Sequence, residues 1–198
     1  MPDFLFLSYE EFYRHCLELA VKIKQAYGPQ KIDYLLSIQR GGAVLSKILS
    51  DALEVPITTL VVSSYQDLHQ TKQPFISQEV AVDIQGKHVL VLDEISDTGD
   101  SLHLVMEHLA KFNTASVKTA VVYLKPKSRF KPDFWMAESA SWVVFPGELC
   151  ETARALQHLP TRSAELEEQF MRYAQAHGAS EVLLQDLGVS LPKETKQV

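Results

Sequence analysis

The sequence predicts an α/β fold, a mostly parallel central sheet flanked by helices, on three observations. Apolar runs of strand length alternate with amphipathic stretches of helical spacing, and such alternation builds parallel sheets covered by helices. Residues 89–92, VLVL, form a short continuous apolar run, as expected of a strand buried on both sides. Glycine-bearing polar turns follow two of the strands and open helices, at Arg40-Gly41-Gly42 and at Asp97-Thr98-Gly99-Asp100-Ser101. Open α/β sheets bind their ligands at this carboxyl end of the strands.

Each element has its own signal. Ser8 and Glu11 have capping-box spacing, after which Phe12, Cys16, Leu19, Ala20 and Ile23 repeat at helical intervals. Gly28-Pro29 stops that helix. Residues 34–38 read as a strand, 39–42 as a loop, and 43–53 as a helix with Val44, Leu45, Ile48 and Leu49 apolar. Residues 57–62 read as the next strand and 63–78 as a polar stretch. Strand 88–92, a helix after Gly99 and strand 117–124 continue the alternation. After Trp142-Val143-Val144-Phe145-Pro146 the character changes to helical. Ser163 starts a helix with Leu166, Phe170 and Tyr173 inward and Gly178 at its end, and a shorter amphipathic piece covers 180–187. The last residues, PKETKQV, read as frayed. The expected division is a domain over 1–148 and a helical C-terminal extension over 149–198.

A chain of 198 residues suits one α/β domain with a small appendage. Hydrophobic content of 46% and charged content of 22% are ordinary for a globular protein. A formal charge of −6 disfavours a general nucleic-acid binder. Cys16 and Cys150 form no zinc or redox pattern, and Cys16 falls on an apolar helix stripe, so it reads as a core residue. No apolar run approaches the length of a membrane span, and the opening MPDFLFLSYEE lacks a basic signal-peptide start. The expected location is a reducing cytoplasm. The seven histidines are scattered, and none is assigned to metal or catalysis.

The chemistry concentrates in residues 89–102. Asp93 and Glu94 follow the apolar strand, and residues 97–101 offer a glycine, hydroxyls and a run of backbone N–H groups opening a helix. Such a helix start attracts phosphate through unpaired donors and the positive end of the dipole. Two carboxylates beside a phosphate cradle suit a sugar phosphate, the acids taking ribose hydroxyls. Helix capping alone explains Asp97 or Thr98 but does not call for the acidic pair.

An apolar strand, two acids, two linking residues and D-T-G-x-S, in this order, resemble the signature of the type I phosphoribosyltransferases, which bind phosphoribosyl pyrophosphate (PRPP). Position 100 is Asp, tolerable in a phosphate loop when its side chain turns away, and Ser101 stands where threonine is commoner. The resemblance makes Arg40, Gly41 and Gly42 the pyrophosphate loop and Asp97, Thr98, Gly99, Asp100 and Ser101 the 5′-phosphate loop. Ser64 and Tyr65 resemble the mobile loop of the purine-using branch. Lys125 after AVVYL, KPDF, and Trp142-Val143-Val144-Phe145 resemble the 6-oxopurine (hypoxanthine, guanine or xanthine) enzymes. There Lys125 would meet the purine O6, Trp142 would stack on the base, Val143 would offer backbone groups, and Glu148 would face an exocyclic group. Gly147 stands where many relatives carry Trp.

The resemblance implies a type I phosphoribosyltransferase fold with a small hood, and transfer of the phosphoribosyl group of PRPP to a 6-oxopurine in purine salvage. Asp97 would be the catalytic base. Asp93 and Glu94 would hold the ribose and sit near Mg²⁺, which is bound mainly through substrate and water. A homo-oligomer (dimer or tetramer) is implied, with no membrane and no nucleic acid as partner. The rivals are a non-catalytic PRPP-sensing regulator of the same fold and an enzyme for another acceptor such as a pyrimidine. The base-site residues Lys125 and Trp142 speak against both.

Overall fold

The apolar runs become the inner strands of a six-stranded sheet. The computed structural model describes residues 3–28, 30–63, 66–67, 70–71, 73–157 and 163–188. Its elements begin with β1 (Phe4–Phe6), α1 (Tyr9–Tyr27), β2 (Tyr34–Gln39), α2 (Gly42–Leu53), β3 (Ile57–Ser63), β4 (Gln66–Asp67), β5 (Gln70–Thr71) and β6 (Phe75–Gln78). They continue with β7 (His88–Ser96), α3 (Asp100–Leu109), β8 (Ser116–Leu124), β9 (Phe134–Glu138), β10 (Trp142–Val144), α4 (Leu149–Gln157), α5 (Ala164–Ala176) and α6 (Glu181–Asp186). Two compact units form: residues 13–140, and residues 1–12 with 141–198.

In the larger unit the strand order is β6-β3-β2-β7-β8-β9, parallel except for the antiparallel edge pair of β3 and β6. Leu35, Leu36, Leu90, Val91, Val121 and Val122 are all fully buried, so neighbouring residues of each strand face apolar layers on both sides. Alternation sorts the two faces. Leu36, Ile38, Val89 and Val91 pack with Leu102, Val105 and Leu109 of α3. Ser37, one residue out of phase, accepts a hydrogen bond from Ser46 of α2 at 2.5 Å. The helices α2 and α3 therefore cover opposite faces.

That arrangement follows from handedness. The β2-α2-β3 connection runs toward one edge and β7-α3-β8 toward the other, and right-handed crossovers in opposite directions put their helices on opposite faces. Between β2 and β7 the strand order reverses, which opens a crevice beyond their carboxyl ends.

Several elements go beyond the sequence reading, the short strands β1, β4 and β5 among them. β6 lies in the stretch read as polar, because an edge strand of four residues with two exposed positions carries little apolar signal. β9 begins at Phe134, the last residue of KPDF, anchored where the Asp133 carboxylate accepts from Thr119 N at 2.8 Å and Thr119 Oγ1 at 2.9 Å. β7 runs on to Ser96, so Asp93 and Glu94 lie inside the strand rather than past its end.

In the smaller unit β1 pairs in parallel with β10, Phe4 opposite Trp142. Leu166, Phe170, Ala174 and Leu184 form a core with Ala153 and Leu156, and the Tyr173 hydroxyl donates to Leu7 O at 2.9 Å. The capping box is complete: Glu11 N donates to Ser8 Oγ at 3.1 Å, and Glu11 Oε2 accepts from Ser8 N at 3.0 Å. Among the described residues no helix is long and apolar enough to cross a membrane.

Candidate active site

The reversal of strand order brings together two loops that are more than fifty residues apart in sequence. The turn after β2 carries Arg40, Gly41 and Gly42 into α2, and the turn after β7 carries residues 97–101 into α3. They line one cleft of about 290 Å³ with Gly41, Asp93, Glu94, Asp97, Thr98, Gly99, Asp100 and Ser101 on its wall. A larger hollow of about 440 Å³ lies at the amino ends of the strands, between Lys24, Asp33, Val55 and Lys87. There α1 and α2 end rather than begin, so their dipoles disfavour an anion. At the smaller cleft α2 and α3 begin, the polarity that favours an anion.

Glycine at 41 lets the two acidic side chains approach the turn closely, and at 42 a methyl group would meet the Leu92 carbonyl oxygen at 2.4 Å. A methyl group at 41 would lie 2.5 Å from Asp93 Oδ1 and 3.0 Å from Glu94 Oε1. The acidic pair thus sits directly against the turn, with Asp93 Oδ1 also accepting from Glu94 N at 2.9 Å. Gly99 is demanded by conformation: its φ of 89° is left-handed, and a methyl group would approach Phe130 N to 2.6 Å. This conformation turns the chain into α3, whose first residues, Asp100, Ser101 and Leu102, line the cleft.

The segment after β8 closes over the second turn. Lys125 N donates to Ser96 O at 3.0 Å and Arg129 N to Thr98 O at 2.9 Å. Ser96 Oγ lies 2.8 Å from Ser128 Oγ and donates to Phe130 O at 3.1 Å. Lys127 Nζ is 3.0 Å from Asp97 Oδ1, and Arg129 Nη2 donates to Asp100 Oδ1 at 2.8 Å. Asp100 therefore turns its carboxylate to Arg129. Lys125 itself is buried, 6% exposed, which pulls its ammonium below the usual lysine range; Asp97 opposes that shift and Lys127 adds to it.

This geometry coincides with a family. The model of the phosphoribosyl transferase domain matches residues 6–153. The chain belongs to the phosphoribosyltransferase family. A xanthine-guanine phosphoribosyltransferase of Idiomarina loihiensis is 29% identical to this phosphoribosyltransferase over 147 residues, 73% of this chain and 86% of that protein. The crystal structure of a purine phosphoribosyltransferase from Pyrococcus horikoshii matches with a TM-score of 0.65 at 28% identity, covering 73% of this chain and 93% of that one. A xanthine-guanine-hypoxanthine phosphoribosyltransferase of Helicobacter pylori matches with a TM-score of 0.66 at 25% identity, covering 77% and 98%. The doubly covered, mostly parallel sheet is the type I fold expected from the signature, and the family makes this chain a PRPP-dependent transferase.

The residues singled out in the sequence fall into three groups. Arg40, Gly41, Gly42, Asp93, Glu94 and residues 97–101 share the larger unit with Lys125. Trp142, Val143 and Glu148 belong to the smaller unit: Trp142 is half exposed with its ring 6.2 Å from that of Phe4, Val143 is buried, and Glu148 ends a single 3-10 turn. Ser64 and Tyr65 lie outside the described residues. Lys127, Ser128, Arg129 and Phe130 were not singled out, although cations at every second position in Lys125-Pro126-Lys127-Ser128-Arg129 were a signal for them.

Purine phosphoribosyltransferases generally use Mg²⁺ with PRPP. Hard carboxylate oxygens at Asp93 and Glu94, pressed against the glycine turn, suit that ion. Among the described residues no group of three or more acidic, histidine or cysteine side chains forms a metal cage. The donor set fits an ion that draws the rest of its ligands from substrate and water.

Proposed function

We propose that this phosphoribosyltransferase transfers the 5-phosphoribosyl group of PRPP to a 6-oxopurine (hypoxanthine, guanine or xanthine), releasing pyrophosphate and forming the nucleoside monophosphate. The observation that carries it is the acidic pair held against the Gly41 turn beside the N-terminus of α3, whose cap residue Gly99 makes no side-chain hydrogen bond. The names of the related enzymes and the buried lysine at the end of β8 support the choice of acceptor.

Residues 97–101 take the 5′-phosphate on the N-terminus of α3, and Arg40, Gly41 and Gly42 take the pyrophosphate. Asp93 and Glu94 bind the ribose 2′ and 3′ hydroxyls and orient the sugar. Asp93 and Glu94 would also hold Mg²⁺, which when bound would supply positive charge to offset that of the departing pyrophosphate. As the bond at C1 of the ribose lengthens, positive charge gathers on the sugar, and the fixed carboxylates stabilise it. Asp97 takes the proton from purine N7 as the new bond forms, leaving its contact with Lys127 to do so. Lys125 donates to the purine O6, Trp142 stacks on the ring, Val143 meets the base edge through its backbone, and Glu148 faces the exocyclic group. Ser64 and Tyr65 belong to the loop that excludes water. The catalytic domain runs over 1–148, with 149–198 as a helical extension, and the enzyme works as a homo-oligomer in the cytoplasm.

The test is nucleotide formation from PRPP and Mg²⁺ with hypoxanthine, guanine, xanthine, adenine, uracil and orotate in turn. Turnover with a 6-oxopurine is the expected result. Turnover with adenine or a pyrimidine alone would overturn the roles of Lys125 and Trp142, and silence with all six would overturn the activity.

A further inference from the structure

Asp100 brings a negative charge into the turn that would receive a phosphate. It is the first residue of α3, and a dianion bound at that N-terminus meets its carboxylate at close quarters. Both carboxylate oxygens are engaged. Oδ1 accepts from Arg129 Nη2 at 2.8 Å, and Oδ2 accepts from the Thr98 hydroxyl at 2.9 Å. The Asp100 N–H in turn points at Thr98 Oγ1, 3.3 Å away. Two donors that a phosphate would use are thus closed on each other, with the Asp100 carboxylate standing in for the anion.

Arg129 holds this arrangement from outside. Its own N–H donates to Thr98 O at 2.9 Å, so one residue grips the turn through both backbone and guanidinium. The guanidinium is permanently charged and presents several donors in one plane. The pair is exposed to solvent, 78% and 44% for the two side chains. Exposed pairs contribute little to folding, so its effect belongs to the moment when a further negative charge arrives.

We infer that Arg129 is a positioning residue for PRPP, an inference that rests on the function proposed above. It anchors and neutralises Asp100, so that the Thr98 hydroxyl and the Asp100 N–H pass to the 5′-phosphate while the carboxylate stays turned away. Without Arg129, Asp100 keeps the Thr98 hydroxyl and repels the phosphate at the mouth of α3.

The test is a double-mutant cycle of Arg129→Ala, Asp100→Asn and the double variant. It is read as kcat and KM for PRPP with Mg²⁺ and a saturating base, and as PRPP affinity by calorimetry. Arg129→Ala is expected to raise KM for PRPP about five- to tenfold, the loss falling on KM rather than kcat and shrinking as salt is added. Adding Asp100→Asn to Arg129→Ala should remove most of that loss, because the charge needing cancellation is gone. Arg129→Lys, which keeps the charge, should lie between wild type and Arg129→Ala.

A double variant as weak as Arg129→Ala would mean that Arg129 binds phosphate directly, and the inference falls. An unchanged KM in Arg129→Ala overturns it as well, as does a loss confined to thermal stability. A wild-type enzyme that neither binds nor turns over PRPP would remove the proposed function itself, which separates that failure from this one.

Discussion

Replacing Gly41 by alanine is expected to lower kcat/KM for PRPP by about a hundredfold without unfolding the protein. Gly41 has φ −51° and ψ −49°, a conformation open to any residue, so backbone strain does not enter. The effect comes from space. The new methyl carbon would stand 2.5 Å from Asp93 Oδ1, whereas ordinary contact begins at 3.4 Å. Asp93, or the turn itself, must retreat by about 1 Å, and misplacement on that scale at a reacting centre costs roughly 10²-fold in rate, or ~2.7 kcal/mol of transition-state stabilisation. The assay is initial velocity against PRPP at saturating 6-oxopurine and Mg²⁺, with thermal melting run in parallel. A variant within threefold of wild type would show that the acids do not need their position beside the turn. Equal losses of activity and melting temperature would show that the contact serves the fold instead.

Asp97→Asn should lower kcat by about 10²–10⁴-fold and PRPP affinity far less, measured by single-turnover rates and calorimetry; matched losses would make Asp97 a loop-shaping residue only. Burial penalises the charged form of Lys125, so this lysine gives up its proton at a lower pH than a free one. KM for the base should therefore rise as pH climbs through that lowered value, and Lys125→Arg, which stays charged, should lose this alkaline limb in a KM profile against pH. Cys16 is fully buried and its thiol is pushed up to about 12, so at pH 8 a thiol reagent should modify Cys150 but leave Cys16 until denaturant is added. Phe170→Ala, in the core of the C-terminal helices, should destabilise that unit by about 3–5 kcal/mol in denaturant melts.

The inner strands were legible because burial on both faces writes itself as unbroken Val and Leu, and α1 because Ser8 and Glu11 mark its start. The two turns were legible because close backbone approach and a left-handed φ require glycine at 42 and 99. β6 and β9 were not, since short edge strands lean on a neighbour's ladder rather than on their own periodicity. Nor was the pairing of Phe4 with Trp142, a contact between residues far apart in the sequence. Lys127 and Arg129 were not among the residues read from the sequence, because only the fold sets them beside Asp97 and Asp100.

Ser96 gives the site a property that no single loop has. Its carbonyl accepts from Lys125, and its hydroxyl bonds to Ser128 and Phe130, so the start of one loop and the length of the other hang from the same residue. The two loops are therefore not interchangeable modules. On the roles proposed above, redesigning residues 125–130 to accept a different base would disturb the grip on the sugar phosphate as well, and a library that varies one loop alone would pay for new specificity in PRPP affinity. Residues 96–101 and 125–130 are a single unit of design, to be varied together.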